Sequence, residues 1–360
     1  MNTTIVSYIA DTLGVAPSGF LTFLIYFIAC FMLANVCMLI GGLATYAERK
    51  ISADIQARIG PNRVGPYGLF QFLADAVKMI FKEDISPIES DRFLFYLAPF
   101  MALIGVFLTL AVLPISSGLA MTQLNVGVFY ILAVSSLVGL AVFLGGYASN
   151  SKWSMLGGMR GASQIISYEI PVTISILMIV LLSGGMNFSS IVGSQASITS
   201  WYIFHNPFTF IGFFVYFIAS LAEANRAPFD LPEAESELVS GFHTEYTGMR
   251  FAFFALAEYV EVFVLCGLGA SLFLGGYNVP LHLGGDGILG QLLQLGAFFS
   301  KTFALYYAVI WIRWTFPRMR VDQLMSLCWK YLTPIALFNL VGAAIWMVVF
   351  KGQSLFELIF

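Results

Sequence analysis

Charge is what this chain has least of. Lys, Arg, Asp and Glu together make up 10% of 360 residues, against 59% hydrophobic residues, and the mean hydropathy is +0.85. An ordinary soluble domain is about 25% charged. That scarcity excludes a soluble globular enzyme and puts most of the chain in lipid. Cysteine is nearly as scarce: Cys30, Cys37, Cys266 and Cys328 are scattered, with no CxxC and no Cys/His cluster. No metal, haem or iron–sulfur ligation and no covalently bound cofactor is therefore expected, and redox chemistry has to come from a diffusible cofactor or a partner. No basic residue precedes the first apolar run and no small-residue cleavage site follows it, so it reads as an uncleaved span. There is no internal repeat of the kind that marks many secondary transporters. The net charge of −3 says little, because the charges are sorted by side, and no nucleic-acid partner is expected.

Long apolar runs are what the chain has instead. Eight windows, near 20–46, 93–114, 126–148, 162–183, 207–223, 249–275, 291–315 and 331–350, are each long enough to cross a hydrocarbon core of about 30 Å. They are continuously apolar rather than alternating, which predicts helices and not barrel strands. The fold class is an all-α polytopic membrane protein, a single membrane domain over 1–360. The window 207–223 is short but rich in Phe.

The basic residues set the orientation. Seven lie in connector 47–92, and Lys152, Arg160, Arg226, Arg250, Arg313, Arg318, Arg320 and Lys330 lie in or beside the next connectors on the same side. That is 15 of the 17 Lys and Arg. The bias puts these connectors on the cytoplasmic or matrix side and both termini outside. Within 47–92, Leu69, Phe72, Leu73, Ala76, Val77 and Ile80 recur at helical spacing, with Gln71, Asp75, Lys78 and Lys82 opposite. An amphipathic helix in the membrane interface is predicted there.

Four ionisable residues fall inside spans: Glu169, Glu258, Glu261 and Lys301. Each costs roughly 2.5–3.5 kcal/mol at a helix centre, so such groups face a bundle interior or a wet cavity. Counting from the basic ends at about 1.5 Å per residue puts them in one layer between the inner surface and the midplane. Two readings stand: Lys301 neutralises a glutamate and the set is structural glue, or coupled acids pass protons. Next to this layer, LAEANRAPFDLPEAESELVSGFHTEY (221–246) carries six carboxylates (Glu223, Asp230, Glu233, Glu235, Glu237, Glu245) against one base, Arg226. A solvated acidic loop is the default for such a run. Phe229, Leu231 and Phe242 interleave with the acids, however, and His243 and Tyr246 add polar partners. That mixture suggests a cavity wall over 224–248.

AERKISADIQARIGPNRVGPYGLFQFLADAVKMIFKED (47–84), MRGASQIISYEIP (159–171), LAEANRAPFDLPEAESELVSGFHTEYTGMRFAFFALAEY (221–259) and RWTFPRMRVDQLM (313–325) resemble one family. It is the core membrane subunit adjoining the quinone site of respiratory complex I, called the H subunit in bacteria and chain 1 in mitochondria. The resemblance implies a membrane subunit of the proton-pumping NADH:quinone oxidoreductase, with no redox centre of its own. Quinone (ubiquinone or menaquinone) would be the substrate, and iron–sulfur clusters and flavin would sit in partner subunits. Glu48, Arg49, Arg58, Arg63, Asp75, Arg226, Asp230, Phe242 and Tyr246 would line or brace the quinone chamber. Tyr168, Glu169, Glu223, Glu233, Glu235, Glu237, Glu258, Glu261 and Lys301 would build the proton path. Arg318, Arg320 and Asp322 would face the hydrophilic redox arm. The location would be a bacterial cell inner membrane, or the mitochondrial inner membrane. An equivalent subunit of a membrane-bound hydrogenase or ferredoxin-linked complex is the alternative within the same superfamily. A secondary transporter and a purely structural anchor are the alternatives outside it.

Overall fold

The computed structural model describes residues 19–117, 122, 124–279, 288–350 and 353–355, without the side chains of Leu21, Glu235, Ser236 and Ile288. The expectation that both termini lie outside concerns residues beyond the described ones. Twelve α-helices run in chain order among the described residues. They are α1 (Gly19–Ile55), α2 (Gln71–Phe81), α3 (Arg92–Val112), α4 (Gly127–Ala148), α5 (Lys152–Ser183), α6 (Phe188–Gly193) and α7 (Pro207–Glu223), then α8 (Glu235–Leu238), α9 (Gly248–Phe273), α10 (Ile288–Thr315), α11 (Val321–Ser326) and α12 (Thr333–Val349). A π-helical stretch, Leu327–Leu332, joins α11 to α12 into one rod. Among the described residues seven helices, the α11–α12 rod counted as one, are long and apolar enough to cross a membrane, and α7 is a shorter apolar one.

Local signals set several helix ends. Asp91 caps α3, accepting from the amides of Phe93 and Leu94. Asn206 and Thr209 form a reciprocal cap on α7, with Pro207 at its first position, where a missing N–H costs nothing. In lipid the hydrophobic effect gives no preference between helix and bilayer, so close backbone approach decides packing. Gly146 of α4 and Gly158 of α5 supply it: a Cβ on Gly146 would come within 2.9 Å of the Gly158 Cα. The bundle packs α4 between α3 and α5, α9 against α3 and α10, and α12 against α5 and α7.

Three helices outrun their apolar windows. At 37 residues α1 is about 56 Å long, so its polar end AERKISADI projects past the bilayer as continuous helix. α5 begins at Lys152 and the α11–α12 rod at Val321, so connectors 149–161 and 316–330 are mostly helical. Polar residues end a hydrophobic window without ending a helix. The amphipathic segment is the helix α2. None of its residues is buried, its Phe72 ring packs against Gly42 of α1, and Leu73, Val77 and Ile80 stay exposed.

The decisive departure is α7. Seventeen residues rise only about 26 Å, less than a hydrocarbon core. Glu223, placed by the sequence at the inner membrane surface, shares a cavity wall with Thr109 and Leu268, near the far ends of α3 and α9. The acidic segment therefore dips into the bundle instead of lying above it, and Leu221, Ala224, Arg226, Phe229, Leu231 and Ala234 are all buried. Its backbone groups are satisfied there by protein: the Gln164 amide of α5 donates to the carbonyls of Ala222 (2.7 Å) and Phe229 (2.6 Å). Irregular backbone at membrane depth is tolerated only when buried in protein in this way.

Candidate functional site

Where the basic connectors converge, the paired acids and bases form a belt of ion pairs. Glu48 of α1 is buried and accepts from Arg313 of α10, with Arg226 of the acidic segment 4.0 Å away on its other oxygen. The Arg226 guanidinium also lies 4.3 Å over the Tyr259 ring. Burial opposes the charge on Arg226, but Glu48 together with Tyr259, Glu258 and Tyr306 outweighs it, so the guanidinium stays firmly protonated. Arg318 pairs with Asp230 at 2.9 Å, Arg160 with Glu237 at 2.6 Å, Arg250 with Asp84 at 2.8 Å, and Arg49 with Asp75 at 2.5 Å. Burial, with Glu233 nearby, pushes the Asp230 carboxyl up from its usual range against the pull of Arg318.

At the centre His243 joins the loop to the membrane. Its Nε2 lies 2.7 Å from Oε1 of Glu233 and 3.3 Å from Oε1 of Glu258, a residue ten positions into α9. The ring is only 4% exposed, wedged against Phe242 (3.8 Å), Phe251 (5.3 Å) and Phe254 (5.4 Å). Burial alone would discharge it, but the flanking carboxylates win and raise it to about 9. The same contact appears from the other side: burial pushes Glu233 up, while His243, Arg226 and Arg313 pull it down to about 2. At neutral pH the bridge is therefore a cation held between two acids. The ligand atoms of Glu233, His243 and Glu258 lie within 4.8 Å of one another, close enough to hold a metal ion. A cationic imidazole is a poor ligand, however, and a metal would first have to displace its proton.

Folding of the loop depends on one glycine. Gly241 sits at φ +56, and a Cβ there would collide with the Pro232 carbonyl oxygen. The turn it makes lets Phe242 and His243 point inward.

The residues singled out from sequence separate into groups. Glu48, Arg226, Asp230, Glu233 and Glu258 come together through the pairs above. Phe242 and Tyr246 are packed solidly: Tyr246 stacks on Phe95 at 4.2 Å, so both brace the loop rather than line open space. Arg49 and Asp75 tie α1 to α2, while Arg58 and Arg63 are exposed beside them. Arg320 and Asp322 pair with each other at 3.3 Å on the surface. Tyr168 is buried and donates to the Leu324 carbonyl at 2.8 Å, and Glu169 is half-buried next to it. The Glu235 side chain lies outside the described residues. Lys301 corrects the expected layer. Its ammonium donates to the carbonyls of Gly276 and Asn278 (2.9 Å each) and lies 4.8 Å from the Trp201 ring, in the connectors at the opposite end of the bundle. A long flexible stem carries the charge away from the membrane centre, so Lys301 does not neutralise a glutamate. Sequence reasoning gave no role to Arg313 or Gln164, and it gave His243 none beyond that of one polar neighbour. Arg313 stood in a quoted motif, but nothing in the chain marked its partner 265 residues earlier.

A chain of this architecture, seven long apolar helices and a shorter one that ends at the buried Glu223, is a polytopic membrane protein. The family model described as NADH dehydrogenase matches residues 27–344. The H subunit of NADH-quinone oxidoreductase from Bacteroides fragilis is 48% identical over 94% of this chain and 95% of its own length. The corresponding H subunit of Bacillus cytotoxicus is 50% identical over 83% of this chain and 88% of its own length, and subunit 8 of the Rhodothermus marinus enzyme is 44% identical over 89% and 96%. The chain belongs to the H-subunit family of NADH-quinone oxidoreductase, as a membrane subunit of that multi-subunit enzyme.

Proposed function

We propose that this chain forms part of the quinone chamber of a proton-pumping NADH:quinone oxidoreductase and carries the first, acidic stretch of the path that couples quinone reduction to proton translocation. The observation that carries the reading is the Glu233–His243–Glu258 bridge, which connects the basic end of the bundle to a carboxyl inside a membrane helix. Quinone, ubiquinone or menaquinone, is the substrate. It takes two electrons from an iron–sulfur chain in partner subunits, flavin lies further upstream, and two protons complete the quinol. Arg226 and Arg313, gathered around Glu48, supply preorganised positive charge where the reduced quinone gathers negative charge. The exposed arginines Arg58 and Arg63 and the free apolar face of α2 border the lipid side of that chamber, and Arg318, Arg320 and Asp322 face the hydrophilic redox arm.

Charge arriving near Asp230 and Glu233 acts on His243, and through it on Glu258. Acids that interact this closely titrate as a group and respond together to one added charge. Beyond Glu258 the path continues through Glu261, Glu223 and Glu169, with Tyr168 bracing α5. The chain acts as a single membrane domain in a bacterial inner membrane, or in the mitochondrial inner membrane if organellar. Glu258→Gln, in the intact complex reconstituted into liposomes, is expected to leave assembly intact and to impair proton pumping or coupled quinone reduction. A Glu258→Gln complex that pumps at the parental ratio of protons to electrons would remove Glu258 from the path.

A further inference from the structure

Glu233 and His243 from the acidic segment and Glu258 from α9 place three ligand-type side chains around one point. His243 and Glu258 are 15 residues apart, and the set as a whole matches no sequence motif for zinc. One ligand atom from each, the Nε2 of His243 and a carboxylate oxygen of either glutamate, lies within 4.8 Å of the other two. Zinc binds imidazole nitrogen and carboxylate oxygen at about 2.0–2.2 Å, which sets neighbouring ligands of a tetrahedral site roughly 3.4 Å apart. Nε2 stands 3.3 Å from Oε1 of Glu258, already near that separation, and 2.7 Å from Oε1 of Glu233, which has to open slightly. Glu233 is the member free to do so: its side chain is 30% exposed, against 13% for Glu258 and 2% for His243. That exposure also gives a cation its way in, and gives a water its place as fourth ligand.

The setting fits a cation at Nε2. His243 Nδ1 is buried and without a hydrogen-bond partner among the described residues. It keeps its hydrogen whether Nε2 carries a proton or a metal, so the exchange costs no hydrogen bond there. With both carboxylates ionised, a divalent ion makes the trio neutral, the state that burial favours. Arg226 and Arg313 act on Glu233, and Arg226 acts on Glu258, so their repulsion limits the affinity. One imidazole with two carboxylates suits zinc, whereas magnesium and calcium take larger, all-oxygen shells.

We propose that Glu233, His243 and Glu258 form a binding site for one zinc ion, which enters in exchange for the imidazole proton and clamps the acidic segment to α9. The step is a substitution without electron transfer: the Nε2–H bond breaks, the proton leaves to water, and the Nε2 lone pair forms the bond to zinc. The protonated imidazole holds the segment through hydrogen bonds, and the metal holds it through three ligand bonds of fixed direction. The site stands on this geometry and needs no part of the proton path proposed above.

Zinc content and zinc-edge X-ray absorption of the purified complex, loaded with zinc and then dialysed against zinc-free buffer, read the site. The parent is expected to retain one more zinc per complex than His243→Gln, and the difference spectrum is expected to show imidazole nitrogen with oxygen ligands. Because His243→Gln also loosens the segment, His243→Cys is the second variant. It is expected to keep the extra zinc and to show a sulfur neighbour in place of the imidazole. Equal zinc in the parent and His243→Gln, or no sulfur neighbour in His243→Cys, overturns the site. Excess magnesium or calcium is expected to leave the zinc in place, and displacement by either overturns the assignment to zinc. The clamp is read by hydrogen exchange over residues 232–247 in nanodiscs. Added zinc is expected to raise protection there several-fold in the parent and to leave it unchanged in His243→Gln. No rise in the parent, or an equal rise in both, overturns the clamp.

Discussion

His243→Gln removes a cation from between two acids while keeping a polar side chain of similar length. The free energy at stake follows from the raised imidazole. A histidine freed from the loop titrates near 6.5, and in place it titrates at about 9. At about 1.36 kcal/mol per pKa unit, that difference is roughly 3 kcal/mol favouring the docked loop, or about two decades in its docking equilibrium. The lowered Glu233 carboxyl reports the same contact and is counted once. For a group whose pKa is raised by docking, the stabilisation is complete below pH 6.5, declines as pH rises and is gone above about 9. Arg226 and Arg313 also face these acids, and as arginines they keep their charge across that window. Hydrogen exchange over residues 232–247, in nanodiscs and corrected for the intrinsic pH dependence, measures the effect. The parent is expected to lose protection of this segment between pH 7 and 9.5, by up to about a hundredfold. His243→Gln is expected to start with the low protection and to show little further loss. Equal protection in the two proteins across that range would refute the argument that a charged histidine holds the loop.

The remaining expectations concern other contacts. Gly241→Ala puts a Cβ against the Pro232 carbonyl at a positive φ, and is expected to abolish loop docking, read as a loss of the assembled complex on native gels. Because Arg49 and Asp75 are partly solvated, a double-mutant cycle on their 2.5 Å pair is expected to return a coupling of about 1 kcal/mol or less in thermal unfolding, falling with added salt. Lys301→Met leaves the carbonyls of Gly276 and Asn278 without their donor, so it is expected to lower thermal stability while proton pumping stays at the parental ratio. A loss of pumping there would return Lys301 to the proton path.

Much of the site was legible in residue types but not in their pairing. The six acids of 221–246 and the aromatic residues among them suggested a cavity wall rather than a solvated loop, and Phe229, Leu231 and Phe242 are buried. That Glu258 and Glu261 share a helix face follows from a spacing of three. The partners of Glu48 were not legible, because Arg226 and Arg313 approach it from far along the chain and no periodicity links such distant positions. His243 looked like one polar residue among several. Its importance comes from position alone, 2.7 Å from one acid and 3.3 Å from another. Lys301 misled because depth was counted along a straight helix, whereas a flexible four-carbon stem places its charge elsewhere.

The sequence by itself determined the class of molecule. Long apolar runs leave helices as the main way to satisfy backbone groups in lipid, and the sorting of basic residues to one side determines how those helices alternate. Only the tertiary structure decided the depth of the acidic segment. Pro228 and Pro232 show that the helix stops, but not that α7 falls short of the membrane thickness and draws its acids into the bundle. That outcome depends on Gln164 of α5 capping the broken backbone, on Gly241 allowing the turn, and on the segment's own Arg226 and His243, with Arg313 of α10, holding the carboxylates. Apart from the Gly241 turn and the His243–Glu233 pair, these are contacts between distant parts of the chain, where burial strengthens electrostatics and local sequence carries no record of the partner.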